Sequence, residues 1–376
     1  MTKFISIFII ALIGLISLTK CSQKKQNNFY NSTNKLEVEI DSLINESMNR
    51  GFRGTVLVAK KNEIILNKIY GDFKMETKTV FWIGSISKQF TATAILKLQE
   101  NNQLSVNDSI TKFVEDVPLD KKGITIHHLL THSSGLANNY PADGITNRKE
   151  AINTILSSPL KYGIGEKYSY SAEGYNLLAI IIEIISNKSF EKYVSQNLLA
   201  PANINQTGFW GIESENSTNT ASYKNTELMK SFPLTIYHKG KSITNYGFKG
   251  ATGIFSTTND LYKWINEIKN NNVVNQKSIQ QQFTPYSNIR GDTINGTFYG
   301  YGWFIEHKDG KLRETRHGGA EDNGIGHNAI IRFYNNGDII IIQSNAGVYN
   351  GEGRLNGVEW STVLSFDIRE ILEKIE

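Results

Sequence analysis

The position of the strand-like segments constrains the fold of this chain more than any other feature, because these segments lie near its two ends. Residues 54–71, which read GTVLVAKKNEIILNKIYG, have the pattern of two strands around a polar turn. Strands return from Tyr299 onward, where Asp-Gly at 309–310 and Asn-Gly at 336–337 mark tight turns. The two groups can form one sheet only if the end of the chain returns to its start.

The middle of the chain is helical and rich in loops. Apolar residues recur at helical spacing at 91–100 and 176–186, and again at 36–49. We therefore predict an α/β (α+β) fold, in which an antiparallel sheet from both chain ends carries flanking helices and an all-helical region, about 90–245, is inserted. A chain of 376 residues is long enough to bury a large core.

The N-terminus has the features of an export signal. Phe4–Leu18 is an uncharged apolar run of signal-peptide length, shorter than the roughly 20 residues of a membrane span. Cys21 follows this run closely, as in bacterial lipoproteins that are cleaved before a lipid-bearing cysteine. We predict a leader at 1–21, a polar tether at 22–35 and a domain at 36–376, exported to the cell envelope and held there by lipid. An ordinary signal peptide and an uncleaved anchor are the alternatives.

Composition and charge exclude several functions. The net charge of +4 comes with no basic stripe, so nucleic-acid binding has no support. Cys21 is the only cysteine, which rules out an intrachain disulfide. His127, His128 and His132 lie close together, but no His-Glu-x-x-His pattern or paired carboxylate accompanies them. We expect neither a metal nor an organic cofactor, and the oligomeric state stays open.

The segment SISK at 85–88 is the first candidate catalytic element. Ser-x-x-Lys occurs at seven serines, so the spacing alone means nothing. Ser85 differs because an apolar segment and Gly84 lead into it, and apolar residues then recur every four positions. This pattern predicts that Ser85 starts a helix and that Lys88 lies one turn on, on the same face. A lysine there can activate a serine nucleophile, whereas the alternative is a helix cap beside a solvated lysine.

Two later segments carry further candidates. Tyr170 lies in a Tyr-Ser-Ala loop before the predicted helix at 176–186. His317 ends a predicted strand, and the glycines at 318 and 319 would let a substrate approach the backbone closely.

SISK, YSA and HGG, in this order, resemble the Ser-x-x-Lys, Tyr-x-Asn and Lys-Thr-Gly or His-x-Gly motifs of the serine β-lactamase and penicillin-binding protein superfamily. The branch in question holds class C β-lactamases, D-alanyl-D-alanine carboxypeptidases and related esterases. Supporting similarity, as in ITIHHLLTHSSGL and YGYGWFI, runs from about Phe52 to the C-terminus. The resemblance implies a β-lactamase/transpeptidase-like fold.

The resemblance also implies roles for four side chains. Ser85 would attack a carbonyl and become acylated, with Lys88 against it. Tyr170 would act as general acid and base, its phenolate favoured by neighbouring cations, and His317 would close the hydrogen-bond network and help to relay the proton. Whether Lys88 or Tyr170 takes the first proton stays open.

The backbone would supply the rest of the site. The N–H groups of Ser85 and Ala320 would form the oxyanion hole, and Gly318 and Gly319 would contact the substrate. Ala172 departs from the family, which has Asn at the third position of the Tyr-x-Asn motif to hold substrate amides.

The implied function is a serine hydrolase acting through an acyl-enzyme on ester, amide or β-lactam carbonyls of a small-molecule or peptidoglycan-like substrate. Because Ala172 cannot hold an amide, we expect esterase activity to exceed β-lactamase activity. The alternative is a cell-surface binding protein on the same fold with weak catalysis.

Overall fold

The computed structural model describes residues 34–71, 79–209, 245–320, 326–347 and 358–374, together with the backbone of two short strands at 223–224 and 227–228. The predicted leader and all but the end of the predicted tether lie outside the described residues. None of the described helices is long and apolar enough to cross a membrane.

Helices occupy both ends and the middle of the described chain. They are α1 (34–49), α2 (Ser87–Glu100), α3 (Ile126–Leu130), α4 (Arg148–Ser157), α5 (Ala172–Ser186), α6 (Phe190–Val194), α7 (Lys249–Thr252), α8 (Thr258–Lys269), α9 (Gln276–Gln282) and α10 (Trp360–Glu373). Single turns of tighter or wider helix lie at Gly84–Ile86, Ile110–Lys112, Leu119–Lys121 and Ser195–Leu199.

The strands fall into an N-terminal group, a few short pieces and a C-terminal group. They are β1 (Gly54–Lys60), β2 (Glu63–Tyr70), β3 (Phe81–Trp82), β4 (Gly208–Phe209), β5 (Tyr223–Lys224), β6 (Glu227–Leu228), β7 (Ile254–Ser256), β8 (Ser287–Gly291), β9 (Gly296–Tyr299), β10 (Phe304–Lys308), β11 (Lys311–Ala320), β12 (Asn328–Tyr334) and β13 (Ile339–Ser344).

One antiparallel sheet joins the two ends of the chain, as the sequence predicted. Its order is β2-β1-β13-β12-β11-β10-β9-β8, and β1 pairs with β13 so that Gly54 lies opposite Ser344. The short strands form a small sheet, β3-β7-β4, and a separate pair, β5-β6. The fold-class prediction is thereby confirmed, while the domain boundaries stay a prediction.

The central strands β1, β12 and β13 are buried on both faces of the large sheet, and their side chains point alternately to the two faces. On one face, Val56 and Ile340 pack with α1 and α10 through Ile40 and Leu364. On the other face, Leu57 joins the larger core that contains α2, α5 and α8. This layering brings the start of α2 against β11, where the predicted motifs meet.

Candidate active site

Ser85 lies at the junction between the small sheet and α2. The buried strand β3 leads into a single helical turn at Gly84–Ile86, and α2 follows directly. Gly84 has φ +52°, a conformation that disfavours residues with a Cβ. Ile86 is fully buried, whereas Ser85 is partly exposed. The local sequence thus turns the serine, and not its neighbours, toward the surface.

Lys88 lies one turn further on and is fully buried. Its Nζ is 3.0 Å from Oγ of Ser85 and donates to the carbonyl oxygen of Ala251 at 3.1 Å. Burial lowers the pKa of Lys88 to about 7, and the charge of Glu173 opposes this shift only in part. Lys88 therefore loses its proton near neutral pH, within hydrogen-bond distance of the predicted nucleophile.

Asn176 fixes the carbonyl that Lys88 contacts, and the sequence analysis assigned it no role. Its side-chain oxygen accepts from the N–H groups of Gly250 and Ala251 at 3.2 and 3.1 Å. Its amide nitrogen donates to the carbonyl oxygen of Gly247 at 2.5 Å. A polar residue inside the apolar run of α5 was the one signal in the sequence.

Tyr170 lies beside both residues. Its hydroxyl hydrogen-bonds the side chain of Ser85, and Lys88 Nζ lies 4.8 Å from the centre of its ring. Burial raises the pKa of Tyr170 well above its ordinary value, and the hydrogen bond from Ser85 offsets this only partly. The expectation of a favoured phenolate is therefore wrong for the free protein, because desolvation outweighs the nearby cation.

His132 packs against Tyr170 and is a second residue that the sequence analysis did not place in the site. The two rings lie 4.2 Å apart, and Nδ1 of His132 accepts from the backbone N–H of Ser171 at 3.1 Å. Burial lowers the pKa of His132 well below its ordinary value, so the ring is neutral. His132 thereby supports the loop that carries Tyr170.

His317 lines the cavity and hydrogen-bonds a backbone carbonyl and a tyrosine. Its Nδ1 lies 2.7 Å from the carbonyl oxygen of Gly318, and its Nε2 lies 3.0 Å from the hydroxyl of Tyr299. Because a carbonyl oxygen can only accept, Nδ1 carries the proton and Tyr299 donates to Nε2. Burial and the charge of Lys88 lower the pKa of His317 to about 3, so it is neutral.

The predicted oxyanion-hole donors meet where β11 touches the helix start. A Cβ placed on Gly319 would lie 2.1 Å from the carbonyl oxygen of Ile83 and 2.6 Å from the nitrogen of Ser85. A Cβ placed on Gly84 would lie 3.2 Å from the nitrogen of Ala320. Both glycines are therefore required for the approach of the two segments, and this approach brings the backbone nitrogens of Ser85 and Ala320 to one place.

A cavity of about 460 Å³ opens over these groups. Its described lining is Ser85, Tyr170, Phe304, His317, Gly318, Gly319, Ala320, Ala329, Glu359, Ser361 and Thr362. Every predicted catalytic, oxyanion-hole and substrate-contacting residue except the buried Lys88 lies on this wall. The contribution of α10, through Glu359 and two hydroxyl side chains, had no signal in the sequence.

Ala172 is fully buried and does not belong to the described lining of the cavity. Its backbone N–H donates to the side-chain oxygen of Asn138 at 2.8 Å. Glu173, the next residue, accepts from the backbone N–H groups of Asn139 and Tyr140. Neither Glu173 nor the fully engaged Asn176 therefore offers a free group in place of the missing asparagine.

The neighbouring histidines have protein partners. His127 Nδ1 lies 2.8 Å from the hydroxyl of Tyr301, and His128 Nδ1 accepts from the backbone N–H of Thr125 at 3.1 Å. No group of three or more potential metal ligands lies together within the described residues.

Comparisons with known proteins indicate the family and the fold of the chain. The family model described as Beta-lactamase matches residues 40–356. Protein flp of Staphylococcus aureus (strain N315) is 28% identical over 308 residues, which cover 77% of this chain and 60% of that protein. The chain thus spans about 60% of the length of this curated relative.

Two solved structures illustrate the shared fold. The octameric penicillin-binding protein homologue from Pyrococcus abyssi superposes with a TM-score of 0.72 at 26% identity, over 89% of this chain and 77% of that chain. The D-amino acid amidase from Ochrobactrum anthropi SV3, complexed with D-phenylalanine, gives a TM-score of 0.71 at 18% identity, over 91% and 100% of the chains.

Proposed function

The chain belongs to the beta-lactamase family of serine hydrolases, and we propose that it hydrolyses ester bonds through an acyl-enzyme on Ser85. The observation that carries this proposal is the pair formed by Ser85 and Lys88. A buried amine with a pKa near 7 lies 3.0 Å from a partly exposed serine hydroxyl at the floor of a cavity.

Lys88 is the first proton acceptor in the mechanism that we propose. In its neutral form it takes the proton of Ser85 as Oγ attacks the substrate carbonyl. Tyr170 is unsuited to this step because the raised pKa keeps its proton in place. The backbone N–H groups of Ser85 and Ala320 stabilise the negative charge that develops on the carbonyl oxygen.

Tyr170 then acts as the acid. It hydrogen-bonds Ser85 and donates its proton to the leaving alkoxide or amine as the bond to the carbonyl carbon breaks, and Lys88 returns a proton to it. Water then attacks the acyl-enzyme as Tyr170 takes a proton from it and passes its own proton to neutral Lys88. The protonated Lys88 returns a proton to Ser85 Oγ as the acyl bond breaks, which releases the acid and restores all three groups. Neutral His317 holds Tyr299 and the β11 backbone in position.

Preference for esters over amides and β-lactams rests on Ala172. Its methyl group is buried and offers no hydrogen bond to a substrate amide. Activated esters need this contact least, since their leaving groups require little protonation. A panel of p-nitrophenyl esters, nitrocefin and D-Ala-D-Ala peptides tests the preference, and faster turnover of nitrocefin than of the best ester would contradict it.

The second candidate is a cell-surface binding protein with little turnover, which Ala172 also favours. Covalent labelling separates the two. A fluorophosphonate or a fluorescent penicillin should label the wild-type protein at Ser85 and leave Ser85→Ala unlabelled. A wild-type protein that takes no label from either probe is a binder and not an acylating enzyme.

We also propose that the protein is exported and anchored by lipid at Cys21. The support is the apolar run Phe4–Leu18 and the cysteine close behind it. Cys21→Ser should move the protein from the membrane fraction to the soluble fraction or block its processing. If this variant partitions with membranes as the wild type does, the proposal that Cys21 carries the lipid is contradicted.

A further inference from the structure

The start of α10 forms part of the wall of the active-site cavity. Glu359 precedes this helix, and Ser361 and Thr362 stand in its first turn. All three line the same cavity as Ser85, Ala329 and the β11 glycines. A substrate that fills this cavity therefore contacts both Ser85 and the start of α10.

Glu359 is partly exposed, and its carboxylate makes no hydrogen bond or ion pair within the described residues. It does not cap its own helix through its side chain. The first two N–H groups of α10 have other acceptors, since Trp360 donates to the carbonyl oxygen of Gly347 at 3.4 Å and Ser361 donates to the side-chain oxygen of Asn328 at 2.8 Å. The carboxylate is therefore available to a ligand in the cavity.

No opposite charge among the described lining residues balances Glu359. His317 is neutral, and Lys88 lies buried behind Ser85 with a pKa near 7. Arg316, next to His317 in the chain, is held by Glu306 at 2.8 Å and Glu314 at 3.3 Å. The described cavity wall thus carries one formal negative charge on Glu359.

We propose that Glu359 is a specificity residue that selects acyl substrates carrying a cationic group, such as a substituted ammonium, and disfavours substrates carrying a free carboxylate. This inference rests on the proposed function of the same cavity. A carboxylate near a bound ammonium stabilises the complex by direct attraction, and near a second carboxylate it opposes binding by a similar amount. The neighbouring hydroxyls of Ser361 and Thr362 can accept or donate and so impose no charge preference.

Two matched substrate series test the proposal and locate the charged group. In the first, acetylthiocholine is compared with its neutral carbon isostere and with the acetyl thioester of mercaptopropionate, so that only the leaving group changes charge. In the second, p-nitrophenyl esters of trimethylammoniobutyrate, its neutral carbon isostere and hemiglutarate vary the acyl side. We expect kcat/KM of the cationic member to exceed that of the anionic member by about tenfold in at least one series.

Variants link this ratio to Glu359. Glu359→Gln should bring the ratio close to one, and Glu359→Lys should invert it. Glu370→Gln removes the same charge from an exposed position of the same helix and should leave the ratio unchanged. Raising the salt concentration should reduce the wild-type ratio, because ions screen partly exposed charges, and should not affect the ratio of Glu359→Gln. A loss of packing at α10 would change all substrates alike and leave the ratio intact.

Failure of this inference can be told apart from failure of the proposed function. Hydrolysis without a charge preference in either series, or with a preference that Glu359→Gln retains, overturns the role of Glu359 alone. If no ester is hydrolysed, the proposed function fails. Calorimetry of the same compounds binding to Ser85→Ala then tests whether Glu359 selects cationic ligands. Tighter binding of the cationic compound, lost in Ser85→Ala/Glu359→Gln, supports the inference, and equal binding of cation and anion overturns it.

Discussion

Two buried lysines on adjacent helices have opposite surroundings. Lys88 on α2 is fully buried and contacts a hydroxyl and a carbonyl oxygen, but no carboxylate. Lys249 on α7 is 6% exposed and forms ion pairs with Glu183 at 2.7 Å and Glu191 at 3.2 Å. The two helices pack together, since Lys88 donates to Ala251 of α7.

The comparison teaches that burial alone does not decide what a lysine does. Desolvation without a contacting carboxylate lowers the pKa of Lys88 to about 7 and produces a base. The charge of Glu173, which forms no ion pair with Lys88, raises this pKa by less than burial lowers it. Lys249, with two carboxylates in contact, joins α5, α6 and α7.

The largest effect on activity should come from replacing Ser85, the residue that Lys88 deprotonates in the proposed mechanism. We expect Ser85→Ala to reduce kcat for the best ester by a factor on the order of 10⁶, because covalent catalysis has no substitute nucleophile. Steady-state assays with burst-phase detection of the acyl-enzyme measure this loss. Residual activity of more than a small fraction would mean that Ser85 is not the nucleophile.

Lys88→Met should separate activity from stability. General-base assistance contributes roughly 10² to 10⁴ in rate, so kcat/KM should fall by about that factor. Thermal unfolding should occur at an equal or higher temperature than in the wild type, because the variant no longer buries an amine that lacks a carboxylate partner. A variant that is destabilised but active would assign Lys88 to the same structural class as Lys249.

Lys249→Met should show the reverse behaviour. Removing the lysine leaves Glu183 and Glu191 buried without their cation, which costs about 3–5 kcal/mol in the free energy of unfolding. Denaturant titration measures this loss, and active-site titration corrects the rate for the folded fraction. We expect the corrected kcat to stay within a few fold of wild type. A loss of activity as large as that of Lys88→Met would contradict the assignment of Lys88 to catalysis and Lys249 to stability.

The pH dependence sharpens the same point. Only the neutral form of Lys88 accepts the proton of Ser85, so kcat/KM should fall about tenfold per pH unit below a midpoint near 7 and level off above it. His317 does not contribute this limb, since its pKa is about 3. The midpoint should disappear in Lys88→Met, and the same midpoint in that variant would assign it to another group.

The smallest effect concerns the amide contact at position 172. Ala172→Asn adds a hydrogen-bonding amide beside Tyr170, which should raise kcat/KM for amides and β-lactams relative to esters by at most about tenfold. Because Ala172 is fully buried, the asparagine must displace its neighbours, and Ala172→Ser serves as a smaller control. The ratio of nitrocefin to p-nitrophenyl acetate turnover measures the change, and an unchanged ratio would separate this position from amide recognition.

The sequence predicted the parts of this arrangement that local patterns determine. Alternating apolar residues and two turn signals were enough to predict the sheet formed by both chain ends, and helical spacing predicted that Ser85 and Lys88 lie together. The burial that lowers the pKa of Lys88 could not be predicted, because the amine is enclosed by segments such as that of Ala251, which lies far along the chain. The place of Glu359 in the cavity wall could not be predicted either, since nothing in the sequence indicates where α10 packs relative to β11. Catalytic roles at all these positions stay predictions.

The pairing of β1 with β13 has a consequence for how the protein reaches its folded state. Lys60 on β1 pairs with Asp338, 278 residues later in the chain, at the point where β1 meets β13. Contacts between residues so far apart in the chain form slowly, because a long loop must close before they can form. Ser85 leaves the ribosome before β11 and β13, which follow it in the chain. We therefore expect a chain that lacks β11 to β13 to carry Ser85 without activity, and activity to appear only once these strands have joined the sheet.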